Sequence, residues 1–330
     1  MRPYRSSVSC DAGWVRVSLP HARVERRHLL SAAALGRTAH PPQSAEDDDD
    51  PALDAISGRI FDATPHFLVI EDDRGQEERL VIAPWATAWR GGPIPPDRLP
   101  AGSRVIIRTR SGRVADCVWA DMTRMTGIIL DVSGRRDLTV EIDSGPHRGR
   151  RSVVIPYPST GRLLVRHPKL EPGYLFDAIG TVQDGAALAQ VPATSQPPHR
   201  ANAVPAPPPA FGGTPSRVSG TAVWSDHADG GAAYPMLESS DTGCDQGVVP
   251  GVRLPYLSLG SMLTVRNVCG RRSAAVPIVA CGCMAARFHD RCVDCETSPR
   301  GRIVELSALS YVRLGGDLTK GCFNAQVGLR

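Results

Sequence analysis

The sequence contains no run that approaches the ~18 consecutive apolar residues of a membrane-spanning helix, which excludes a helical transmembrane span. Strong charge of either sign is missing too: 38 Lys and Arg stand against 34 Asp and Glu, a formal net charge of +4. No basic block tracks a groove, so nucleic acid is not an expected partner. Aromatic residues are scarce, at 5% of the chain. The apolar segments are built from Val, Ile and Leu instead. At 330 residues the chain is too long for one small barrel and suggests two or three domains.

Glycine and proline are abundant by contrast, with 32 and 29 residues. They punctuate short Val-, Ile- and Leu-rich segments, a pattern that reads as all-β. Nine cysteines are present, and seven lie beyond residue 240: Cys244, Cys269, Cys281, Cys283, Cys292, Cys295 and Cys322. Such density in a small domain points to an oxidising compartment, where disulfides supplement a limited core. Three bridges and one thiol are expected, with the pairing open. The alternative is zinc, because Cys281-x-Cys283 followed by Cys292-x-x-Cys295 has the ligand spacing of a structural tetrahedral site. The remaining three cysteines also want partners, so disulfides are preferred, and neither metal nor cofactor is expected.

Residues 1–54 read as an export signal and an acidic linker. Arg26-Arg27 precedes the small-apolar run Leu29 to Gly36 and resembles a degenerate twin-arginine signal; the other reading is a disordered basic arm. Glu46 and Asp47 to Asp50 belong to a solvated linker. Residues 55–193 carry an internal repeat. Gly58-x-Ile60-x-Asp62 is echoed by Gly127-x-Ile129-x-Asp131, and Leu68-x-Ile70-Glu71 by Leu138-x-Val140-Glu141. Arg79 to Ile82 matches Ser152 to Ile155. Each copy offers enough short alternating strands to close a small barrel, which removes sheet edges. Two tandem OB-like or SH3-like barrels are expected, over 55–123 and 124–191. Trp85, Trp89 and Trp119 could form a stacking surface in the first, but packing in the core or at the rim is the preferred reading for each. Residues 192–217, rich in proline, are expected to be a semi-rigid spacer that holds the last domain away from the barrels.

The last third, residues 218–330, is the most informative. Gly220-Thr221-Ala222-Val223-Trp224-Ser225-Asp226 is followed by Tyr256 to Asn267, then by Phe288-His289-Asp290-Arg291-Cys292, and finally by Arg302-Ile303-Val304-Glu305-Leu306-Ser307. Leu263 and Val265 alternate with polar neighbours and give one buried face. Ser307 suits the N-cap of a short helix that Gly315 would end. A strand, an acid in a turn, an acid-Leu-Ser strand end, one helix and Leu-Gly form an order that resembles the double-psi β-barrel of bacterial rare lipoprotein A, the expansins and barwin-type proteins.

That resemblance implies a six-stranded double-psi barrel that works on the cell wall; with the repeat, the expected chain is all-β, two small barrels followed by the double-psi barrel, and the signal and cysteines add export. It implies a groove for wall polysaccharide, peptidoglycan or a related glycan, formed by Trp224, Ser225, Tyr256, Asp290 and Glu305. The leading expectation is non-hydrolytic binding or remodelling of that glycan. The alternatives are a lytic transglycosylase or glycosidase with Asp290 as general acid and Glu305 as second carboxylate, and a barwin-like structural barrel. Glu305 stands where the family carries Asp, and a shift of roughly an ångström at a reacting group can cost about 10²-fold in rate. If the acids are structural, Glu305 is expected to pair with Arg291 or Arg302.

Overall fold

Buried and exposed positions alternate along the strands. Leu68 and Ile70 on one strand, and Leu80 and Ile82 on the next, are buried, while their neighbours Glu71 and Val81 face solvent. This period of two places every second side chain on one face of a pleated strand. The computed structural model describes residues 53–204, 217–226, 230–238, 254–289, 292 and 301–329. Within them the chain is all-β and forms three closed barrels, of five, five and six strands.

The first barrel uses β1 (Leu53–Ala63), β2 (Phe67–Asp72), β3 (Glu77–Trp89), β5 (Arg104–Arg110) and β6 (Val114–Ala120), with β4 (Pro93–Ile94) appended to β3. Strand β1 pairs antiparallel with β2 and β5, β2 with β3, and β5 with β6; the parallel pair β3–β6 completes the ring. The second barrel repeats this order with β7 (Met122–Gly134), β8 (Leu138–Asp143), β9 (Arg150–Ile155), β10 (Leu175–Gln183) and β11 (Ala186–Pro192), and its parallel pair is β9–β11. A short helix, α1 (Tyr157–Leu164), connects β9 to β10 and buries Leu163.

The repeated glycine motif has a structural cause. A Cβ on Gly58 would strike the carbonyl oxygen of Glu71, and one on Gly127 would lie 2.7 Å from that of Asp143. Two residues later each first strand carries a bulge, between Ile60 and Asp62 and between Ile129 and Asp131. A bulge bends and twists a strand, which small barrels need for closure. The sequence match between the second strands is displaced by two residues, because Ile60 faces Ile70 whereas Ile129 faces Ile142, not Val140. A shift of two keeps the same face buried, so the error is invisible to the hydrophobic pattern.

The third barrel is closed in the order β12 (Arg217–Ser225), β16 (Arg302–Ser307), β13 (Ala232–Tyr234), β15 (Ser273–Cys281), β14 (Met262–Asn267) and β17 (Cys322–Leu329). Two of its pairings, β12–β16 and β13–β15, are parallel. After β16 comes the helix α2 (Ala308–Arg313), whose N-cap Ser307 accepts the Ser310 amide proton at 3.1 Å. Tyr311 and Val312 of α2 are buried, and Gly315 follows at φ +82°, as a helix-ending residue should.

Between β6 and β7 only Asp121 intervenes, at φ +54°, with its carboxylate accepting from Arg90 Nε at 2.7 Å and the Arg104 amide at 3.0 Å. The third barrel is not held away from the others. One hydrophobic core joins Cys117 and Trp119 of the first barrel and Ile179 of the second to Trp224, Tyr311 and Phe323 of the third. The described part of the proline-rich segment, up to residue 204, is correspondingly laid down on the barrels. Ala193 enters that core, Leu175 donates its amide to the His199 carbonyl, and the Ala201 carbonyl accepts from Arg287. Residues 205–216 lie outside the described set. Trp119 is 1% exposed because this docking covers it, and Trp89 is half-buried against the same core, so only Trp85, at 53%, presents its indole. Trp119 and Trp89 therefore pack in and against the core, and the three do not form a stacking surface.

Candidate functional site

Glu305 sits near the end of β16, at the point where β13 pairs with it through Ala233. On its other side Ala233 pairs with Ala280 of β15, whose last residue is Cys281. Three strands thus bring an acid and a Cys-Gly-Cys turn together. Glu305 is 2% exposed, and a carboxylate so buried needs a partner. It receives one from the second barrel: Arg148 donates from Nη2 to Glu305 Oε2. Of the two expected partners, Arg302 is committed to Asp177 instead, and Arg291 lies outside the described residues.

Arg148 belongs to the turn between β8 and β9. Gly145, at φ +98°, donates its amide to Asp143 Oδ1 at 2.9 Å, and the Arg148 and Gly149 amides donate back to the Gly145 carbonyl. A Cβ on Gly145 would rest 3.7 Å from Met284 Cγ and 3.9 Å from Cys283 Cβ, which places the turn against the Cys-Gly-Cys segment. His147, next in this turn, offers a ring nitrogen within 4.8 Å of the sulfurs of Cys281 and Cys283. Those two sulfurs are joined as a disulfide.

The docking is braced by a buried charge node beside it. Asp177 of β10 is fully buried and accepts from Arg124 Nε at 3.0 Å and Nη2 at 2.7 Å, from Thr126 Oγ1 at 2.7 Å and from Arg302 Nη2. Burial alone would raise this carboxyl, but the two guanidiniums and the hydrogen bonds outweigh it and hold it at about 2. Arg124 also donates to the carbonyl of Gly321 at 2.6 Å, and Arg302 stacks over Phe288 at 4.0 Å, so one acid ties the second barrel to the third. Burial pushes the neighbouring His167 imidazole down, against the raising influence of its contact with the Asp177 carbonyl. At the rim, Asp226 accepts from Thr123 Oγ1 and the Arg124 amide and lies 3.7 Å from Arg151.

The expected groove residues among those described differ in exposure. Trp224 is 1% exposed and donates its indole N–H to the Leu318 carbonyl at 2.9 Å, so it shows no face to a ring ligand. Ser225 is buried at the end of the same strand. Both corrections share one cause, since β12 lies in the core shared by the three barrels. Tyr256 is 56% exposed, and Leu259 and Met262 of the following segment are exposed with it. Asp290 lies outside the described residues, as do Cys244 and Cys295. Cys269 is disulfide-bonded, Cys292 Sγ lies 4.0 Å from Cys269 Sγ, and Cys322 is half-buried on β17.

The residues that the sequence reading missed are His147 and Arg148. One signal was available: the β8–β9 turn has six residues, 144–149, against four, 73–76, at the equivalent place in the first copy. The added length is what reaches the third barrel. Neither a family model nor a curated protein matches the chain.

Proposed function

We propose that this chain is an exported, cell-wall-associated protein that binds wall polysaccharide through its C-terminal barrel without cleaving it. The reading takes the six-stranded barrel as double-psi and the five-stranded pair as OB-like. Two interleaved parallel pairings support the first assignment, and an identical strand order closed by a single parallel pair supports the second. Export is in keeping with the Cys281–Cys283 bridge and the bonded Cys269, because disulfides persist in oxidising compartments.

One observation carries the non-hydrolytic reading: Arg148 occupies Glu305. A general acid or base must lie within hydrogen-bond reach of the proton it moves, directly or through one water. Glu305 is instead buried and filled by a guanidinium from a neighbouring barrel. A binder needs no such acid. The glycan contact then falls to the exposed surface around Tyr256, whose ring offers an apolar face and a polar tip to a sugar.

The test incubates the full chain with purified peptidoglycan, followed by pelleting and by mass spectrometry of the soluble fraction. Pelleting without released fragments is expected, and Tyr256→Ala should weaken it by roughly fivefold, the loss of about 1 kcal/mol of ring contact. Soluble anhydro-muropeptides that disappear in Asp290→Asn would replace this reading with a lytic transglycosylase.

A further inference from the structure

We propose that His147, Cys281 and Cys283 form a redox-gated binding site for a soft divalent cation of the zinc type, with one ligand from the second barrel and two from the third. The inference is independent of the glycan reading. Its basis is a convergence of donors: one imidazole nitrogen and two sulfurs lie within 4.8 Å of one another. In a tetrahedral centre with metal–sulfur bonds near 2.3 Å and metal–nitrogen bonds near 2.0 Å, ligand atoms stand roughly 3.3–3.8 Å apart. The imidazole therefore needs about an ångström of closure, while the two sulfurs, joined to each other in the disulfide, must move apart on reduction.

Local structure makes that closure small. Cys281 ends β15, paired with Tyr234, and Gly282 donates its amide to the Tyr234 carbonyl at 3.0 Å, so the backbone that carries both sulfurs is fixed by hydrogen bonds. His147 is exposed and sits on a turn that Gly145 and the Arg148–Glu305 pair press against Cys283. Two thiolates and one imidazole form a soft donor set that favours zinc over magnesium or calcium. Three protein ligands leave a fourth position for water.

The gate is the disulfide. A dithiol reductant breaks the Cys281–Cys283 bond by supplying two electrons and two protons, and is itself oxidised to a cyclic disulfide. The cation then replaces the two thiol protons, which go to solvent, and takes the neutral imidazole as its third ligand. A disulfide oxidant, itself reduced to a dithiol as it takes up the two electrons and two protons, reverses the sequence and expels the metal. Because the ligands come from two barrels, the bound cation would cross-link them beside Glu305.

The experiment uses the full chain, reduced with a dithiol and then desalted without oxygen, against the untreated protein. Zinc is titrated in competition with a chromophoric chelator, and cobalt is added in parallel to read a thiolate-to-cobalt charge-transfer band. The reduced chain should take up one more equivalent than the oxidised chain. His147→Ala, an exposed position that leaves the fold alone, should weaken that equivalent by at least about tenfold, since loss of outer-shell partners alone costs roughly 10–100-fold. Cys281→Ser with Cys283→Ser should abolish it and its cobalt band while the other cysteines remain. Equal uptake by oxidised and reduced protein, or uptake untouched by His147→Ala, would overturn the proposal.

Discussion

Glu305 and Arg148 stand 157 residues apart in sequence, yet each is the other's buried counter-charge. Their side chains are 2% and 7% exposed, and a buried ion pair behaves asymmetrically. Removal of one partner strands the other, at about 3–5 kcal/mol, whereas replacement of both by apolar groups is often neutral. Arg148→Ala should therefore lower stability by about that amount, and Arg148→Met combined with Glu305→Leu should recover most of it. Chemical denaturation of the three proteins checks this; a loss under about 1 kcal/mol for Arg148→Ala would mean that the pair is solvated. At this scale the sequence was partly legible. The acid at Glu305 and the cap at Ser307 are local features, and both stand in the places that strand and helix signals imply. Trp224 was misread, because an aromatic at the end of a strand looks the same in sequence whether it faces a groove or a neighbouring domain.

Among the elements, the two five-stranded barrels show how far a pattern can reach. The Gly-x-Ile-x-Asp motif marks a first strand whose glycine lies against a carbonyl of the next strand and whose following residues bulge. A methyl group at Gly127 would meet Asp143 O at 2.7 Å and its carbon at 3.0 Å, both backbone atoms with little room to retreat. Gly127→Ala should accordingly cost about 1–3 kcal/mol, in the range of other overpacking changes. A thermal-unfolding comparison with Gly112→Ala gives the control, since a Cβ at Gly112 meets nothing within 4 Å and only its φ of +78° resists. If Gly127→Ala proved neutral, the bulge would have to absorb the methyl group. The two-residue displacement between the second strands shows the limit of such matching: period-two alternation specifies the face, and only cross-strand pairing specifies the register.

For the whole molecule, the three barrels share one core and a buried charge node. Asp177 is central to it, and its carboxyl is held at about 2 against a usual 3.8. A carboxyl depressed by folding contributes stability that is complete above the unfolded value and is lost as pH falls through the folded one. The stabilisation should thus be full above pH 3.8 and fade toward about 2, loosening the contact between the second and third barrels. Carbon-13 titration of the side-chain carboxyls tests this: one aspartate should titrate near the lower value, and its absence would show that the node is open to water.

The sequence by itself determined the all-β class, the tandem repeat with its glycines, the helix after β16 and the clustering of cysteines, because all of these depend on local periodicity, turn chemistry and composition. What only the tertiary structure decided is what covers each face. The six-residue turn between β8 and β9 closes over Glu305, residues 193–204 lie on the barrels, and Trp119 and Trp224 meet in one core. Burial of an apolar face is favourable against any apolar partner, since the hydrophobic effect is non-directional. Partner choice was therefore left to side chains far apart in the chain, and no local pattern records it.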